Sequence, residues 1–171
     1  STPQDFVVMA AVHAAGINDT EWRTDLRIFN PGDDWVHVTL EYLPENQDNS
    51  VGVTHLINFD LAPKATKVYD DIVNELPVSD DESKGSLRIS FDGDGPTPLI
   101  MSRTYNDTPD GTYGQFIPAV PVLPNASGEM YLTGLVHDLY YRTNVGLANF
   151  SDELAWGVTL TLLDNAGEQV G

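Results

Sequence analysis

Trp22-Arg23-Thr24-Asp25-Leu26-Arg27-Ile28-Phe29-Asn30-Pro31 returns late in the chain as Tyr141-Arg142-Thr143-Asn144-Val145-Gly146-Leu147-Ala148-Asn149-Phe150. Each copy is preceded by a Val-His step, Val12-His13 and Val136-His137. Each is followed by Val-Thr-Leu, Val38-Thr39-Leu40 and Val158-Thr159-Leu160. Self-similarity at so long a period signals duplication of a domain-sized unit. It divides the chain into a first unit over residues 1–120, with an N-terminal strand over 5–12. A Pro-rich connector over 121–128 and an incomplete second unit over 129–171 follow.

Outward from the motif, the pattern alternates with period two, as half-buried strands do. Val36, Val38, Leu40 and Tyr42 share one face, Ile57, Phe59 and Leu61 form a second inward row, and Leu87, Ile89 and Phe91 a third. Leu99, Met101 and Arg103 alternate less decisively with Ile100, Ser102 and Thr104. Turn-forming clusters at 30–34, 44–50, 92–96 and 108–111 separate the rows. Short strands at this spacing indicate an all-β, antiparallel sandwich. One helix interrupts it: Ile72, Val73 and Leu76 fall at helical spacing, Asp70 and Asp71 suit the N-terminus, and Pro77 stops it. Pro118, Pro121 and Pro124 argue against a central strand over 117–128. In the second unit, strands are expected over 130–136, 142–149 and 156–163.

With 26 acidic and 8 basic residues the net charge is -18, which repels phosphate backbones and anionic lipid. Nucleic-acid and membrane-surface partners are therefore excluded. The apolar run Phe6 to Val12 is too short to span a bilayer. Cysteine is absent, a profile that suits a secreted protein, and sequons stand at Asn18, Asn106, Asn125 and Asn149.

Several strings together resemble a known module. They are Arg23-Thr24-Asp25-Leu26 leading to Asn30-Pro31-Gly32, Leu61-Ala62-Pro63, Lys84-Gly85-Ser86-Leu87-Arg88, Ser102-Arg103-Thr104-Tyr105 and Gly111-Thr112-Tyr113-Gly114-Gln115-Phe116-Ile117-Pro118. Leu132-Thr133-Gly134-Leu135 and Arg142-Thr143-Asn144 open the second copy. The set resembles a recurrent, functionally uncharacterised module of bacterial secreted and cell-surface proteins. The resemblance implies an immunoglobulin-like β-sandwich with one short helix, followed by a partial repeat, acting as an accessory unit with no catalytic role.

The chemistry-bearing residues are few. Asp92-Gly93-Asp94-Gly95 is the most calcium-like loop, because alternating carboxylates and glycines let oxygens converge on a hard cation. It also reads as a hairpin turn. The four histidines are scattered: pairing across the 44–53 loop sets His55 opposite Tyr42, away from His37. No Gly-x-Ser-x-Gly elbow is present, so no enzyme is indicated. Trp35 follows a polar loop and, with Tyr140, is a candidate platform for a polysaccharide, whereas Trp22 and Tyr141 recur between copies and fit end-plugs. The repeated Arg and Asn fit structural service: Arg23 pairing a carboxylate or carbonyl, Asn30 capping turn amides. Finally, Phe6, Val7, Val8 and Met9 could add as a strand to a neighbour's unfinished unit. The expected role is a non-enzymatic extracellular structural or adhesive module. A strand-addition assembly subunit and a carbohydrate-binding module are the alternatives.

Overall fold

The computed structural model describes residues 4–17, 19–50, 55–77, 82–122, 130–139, 143, 145–150 and 157–171. Eight strands and one short helix follow in order: β1 Gln4–Ala15, β2 Glu21–Phe29, β3 Val36–Pro44, β4 Leu56–Leu61, β5 Thr66–Tyr69, α1 Ile72–Glu75, β6 Ser83–Asp92, β7 Leu99–Thr108 and β8 Gly111–Pro121. All ladders are antiparallel, in the order β4-β3-β6-β1-β8-β7-β2-β5. An additional β1–β2 pairing, Ala14 with Trp22 and Ala15 with Glu21, closes a ring of β1, β8, β7 and β2. Expected all-β antiparallel architecture with one helix is what forms, but β1 stitches the ladders into one closed system.

The alternating rows become the core. Val36, Val38, Leu40 and Tyr42 are buried on β3, and Leu87, Ile89 and Phe91 on β6. Ile57 and Phe59 pack against them from β4, with Leu61 buried. On β7 the undecided alternation resolves: Ile100 packs on the core and Ser102 and Thr104 are buried, leaving Leu99 and Met101 exposed. The β3–β4 hairpin takes the expected register. Glu41 pairs with Leu56, and Tyr42 N donates to His55 O at 3.0 Å. Helix α1 buries Ile72, Val73 and Leu76, and Leu76 leaves it in an extended conformation, as a residue before proline must.

Three expectations are corrected. Residues 117–121 do form strand: β8 runs through Pro121, flanked by β7 up to Pro118 and by β1 over Ala119 to Pro121. Each proline sits at a ladder end, where its missing N–H leaves no partner stranded. Second, β1 is a central strand, bonded to β6 and β8, with Val7 and Val8 buried. Phe6, Val7, Val8 and Met9 therefore have no free edge for strand addition; the sheet's edges are β4 and β5. Both are short, and Asp60 on β4 and Lys67 on β5 place charge there, a common defence against edge pairing. Third, the strands expected in the second unit do not form among its described residues. The pairing there is an isolated antiparallel bridge, Leu163 with Gln169.

Hydroxyls repair the place where β1 changes neighbours. Its ladder with β6 shifts register between Val8 and Ala11, so Met9 and Ala10 leave the regular pattern. Ser86 Oγ donates to Met9 O (3.2 Å) and Thr104 Oγ1 to Ala10 O (3.1 Å). Thr24 Oγ1 accepts from Val12 N (2.9 Å), lies 3.3 Å from Val12 O and contacts Thr104 Oγ1 at 3.0 Å. Buried backbone groups next to a bulge need such partners, because leaving one unpaired costs about 1–3 kcal/mol.

Candidate functional site

Three loops meet at one end of the molecule, and a single buried side chain ties two of them together. Asn30 has no exposed surface. Its Nδ2 donates to Asp34 O (2.8 Å), Leu61 O (3.2 Å) and Ala62 O (3.2 Å), and its Oδ1 accepts from Gly32 N (2.9 Å). The 30–35 and 61–65 loops are thereby tied together, and Lys64 adds an ion pair to Asp33 at 3.0 Å. The 92–98 turn joins them. A Cβ placed on Gly32 would lie 3.0 Å from Pro96 Cδ, and one on Gly93 3.7 Å from Trp35 O.

Two candidates far apart in sequence, Trp35 and the Asp92–Asp94 turn, therefore meet at this end. Trp35 is 63% exposed and forms the apolar part of the surface. Asp92 ends β6 opposite His37, whose Nδ1 is 2.8 Å from Asp60 Oδ1. Among the described residues no group of three or more His, Cys, Asp or Glu gathers as a metal cage. A calcium ion at Asp92 and Asp94 would have to take most of its 6 to 8 oxygens from carbonyls and water. Tyr140, the other ligand candidate, lies outside the described residues, as do Tyr141 and Arg142. Trp22 is partly exposed beside Ala14 and Asn106 rather than sealed as a plug.

The opposite end holds an arrangement that no sequence pattern indicated. Asp71 adopts a left-handed conformation (φ 71°) and makes no cap bond to α1. Its Oδ2 lies 2.7 Å from His13 Nδ1, while its buried Oδ1 has no partner. The hydroxyl opposite His13 in the β1–β6 ladder, Ser83, accepts instead from Tyr42 OH at 2.9 Å. A His–Asp pair of this kind fixes the orientation of an imidazole. Burial raises the Tyr42 phenol to about 12, against the opposing pull of the Ser83 bond.

The remaining motif residues serve the frame. Arg23 pairs with Glu21 and lies 3.7 Å from Asp107, which holds its guanidinium protonated above the usual range. Tyr105 OH donates to Asp25 at 3.2 Å, and Arg103 stacks on the Tyr105 ring at 4.5 Å while donating to Thr112 Oγ1 (2.6 Å). Arg88 pairs with Asp5. Gly85 lies against the neighbouring strand, where an added Cβ would stand 2.2 Å from Leu43 O. Comparison with protein-family models, with curated proteins and with solved structures finds no match for this chain. No helix among the described residues is long and apolar enough to cross a membrane.

Proposed function

We propose that the chain is a non-enzymatic structural or adhesive module of an extracellular or cell-surface protein, built as an immunoglobulin-like sandwich with a partial second copy. The observation that carries this reading is where the motif residues go. Thr24, Asn30, Ser86, Ser102 and Thr104 are all buried and spend their hydrogen bonds on backbone groups of other strands or loops. A motif kept for ligand chemistry would leave some of those groups facing solvent. The duplication is supported by a shared hydrogen-bond pattern. Thr143 Oγ1 accepts from Val136 N (3.0 Å) and donates to Val136 O (3.1 Å), as Thr24 does at Val12. The test compares folding with adhesion in Thr24→Val and Asn30→Ala. Adhesion or assembly should fall only with the folded fraction; a fully folded variant that lost adhesion would replace this reading with a binding-site one.

A second reading rests on Trp35, an exposed indole seated on a hydrogen-bonded loop cluster beside carboxylates. Aromatic platforms of this kind stack on sugar rings. Retention of the chain on insoluble cellulose, chitin or xylan, abolished by Trp35→Ala, supports it. No retention on any of them removes it.

A further inference from the structure

The β3–β6 and β7–β8 ladders treat their outward faces differently. On β3 and β6 the outward positions are polar, as a solvated sheet face should be: Thr39 stands opposite Ser90 and Glu41 opposite Arg88. On β7 and β8 many of them are apolar. Leu99, Met101, Phe116, Pro118 and Val120 are exposed, while Ile100, Ile117 and Ala119 between them pack on the core and Ser102 is buried. The ladders set these residues side by side. Met101 pairs with Pro118 on β8 and with Arg27 on β2, Arg27 pairs with Val68 on β5, and Arg103 pairs with Phe116. Cross-strand partners share a face, so the exposed Val68 joins the same patch.

Leu99 and Met101 are each 59% exposed. With Phe116, Val120 and Val68 they present roughly 500 Å² of apolar surface, near the top of the roughly 300–600 Å² found for the largest patch on a monomer. A standard interface takes about 800 Å² from each partner, about 60% of it apolar, which is again roughly 500 Å². The patch is therefore the size of one side of a dimer. Charge selects the partner. The chain carries 26 acidic residues against 8 basic ones, so two copies meeting through most surfaces would set carboxylate against carboxylate. Around this patch the signs balance: Arg27 lies 3.9 Å from Asp70, and Arg103 stands opposite Asp25 in the β2–β7 ladder. A strongly basic or strongly acidic partner gains little from so neutral a rim. A second copy meets apolar surface with apolar surface and finds both signs to pair with its own.

We propose that the outward face of β5, β2, β7 and β8 is the surface through which a second copy of this chain packs, sheet on sheet, in a two-fold dimer. This goes beyond the adhesive reading above and stands without it. The centre of the face is carried by β7 and β2, each lying between two other strands, so the contact needs no free strand edge. It is thus unlike the strand addition that the central β1 cannot make. Burial of Leu99, Met101, Phe116 and Val120 between two sheets about 10 Å apart drives association. Arg27 and Arg103 lay their apolar stems along the rim and keep their charged ends in water. A two-fold contact uses the same patch on both copies, so assembly closes at the dimer.

Sedimentation equilibrium on the full chain, from about 1 μM to about 1 mM and at low and high NaCl, provides the test. A monomer–dimer transition is expected, with a midpoint on the order of 10–100 μM and no species beyond the dimer. Added salt screens the repulsion between two acidic copies, so the midpoint should fall at least roughly threefold between about 0.02 M and about 0.5 M NaCl. Met101→Glu and Phe116→Glu should each raise the midpoint at least roughly tenfold. Both side chains are exposed, so the monomer's urea midpoint should stay nearly unchanged. Thr39→Glu adds the same charge on the outward face of β3 and should raise the dimer midpoint less than about twofold. Three results overturn the proposal: a monomer at every concentration, a dimer indifferent to both face substitutions, or a dimer that added salt weakens. None of them touches the adhesion measurements on Thr24 and Asn30, so the two readings fail separately.

Discussion

Thr24 Oγ1 straddles the backbone of Val12, 2.9 Å from its nitrogen and 3.3 Å from its oxygen, across the join where β1 passes from one set of neighbours to the next. Valine has the shape of threonine without the hydroxyl, so Thr24→Val would leave Val12 N without its partner in a buried setting. A loss of about 1–3 kcal/mol in unfolding free energy is expected, with Thr24→Ser retaining most of it. Thr143→Val, at the matching contact with Val136, should leave the first unit's urea midpoint unchanged.

Asn30 holds three carbonyls and one amide with a single side chain. Asn30→Ala should cost about 3 kcal/mol, because several buried acceptors lose their donor together. The same variant should speed amide exchange in the 30–35 and 61–65 loops before it affects β6. Trp35→Ala, in contrast, should change stability by less than about 0.5 kcal/mol, as exposed positions do.

Gly85 faces Ala11 on one side and Pro44 on the other. A Cβ there would lie 2.2 Å from Leu43 O and 2.9 Å from Pro44 Cα, both backbone atoms that have no rotamer to yield. Gly85→Ala should therefore destabilise by about 3 kcal/mol through strand displacement, whereas Gly95→Ala, with open space around it, should be nearly neutral.

The two limbs of the pH profile should have assigned causes. Burial alone would raise the Asp5 carboxyl, but bonds from Arg88 and Ser90 and the Arg88 charge outweigh it and hold it below its ordinary 3.8. Its contribution is present above 3.8 and disappears as pH falls through the lower folded value, so Asp5→Asn should flatten the acid limb. Tyr42 is the reverse case: its folded value of about 12 exceeds the ordinary 10.0. Stability from keeping it neutral is present below pH 10 and lost between 10 and 12. Tyr42→Phe should shallow that alkaline limb, at a cost of about 1 kcal/mol for the Ser83 hydrogen bond. Urea titrations across pH 2–5 and pH 9–12 check both.

What the sequence determined by itself was local. The inward rows of β3, β4 and β6, the helix at Ile72, and the facing of Tyr42 and His55 could be read from side-chain period and one short loop, since neighbouring residues alone set them. Only the tertiary structure decided that β1 is a central strand and that prolines 118 and 121 lie within β8. It also decided that Asp71 turns to His13 rather than capping its helix. The meeting of Trp35 with the Asp92 turn belongs to the same class, because long-range ladders brought those loops together. Such facts depend on which of several apolar strands closes against which. That is a competition between loop-closure entropy and buried area over the whole chain, and no window of sequence contains it.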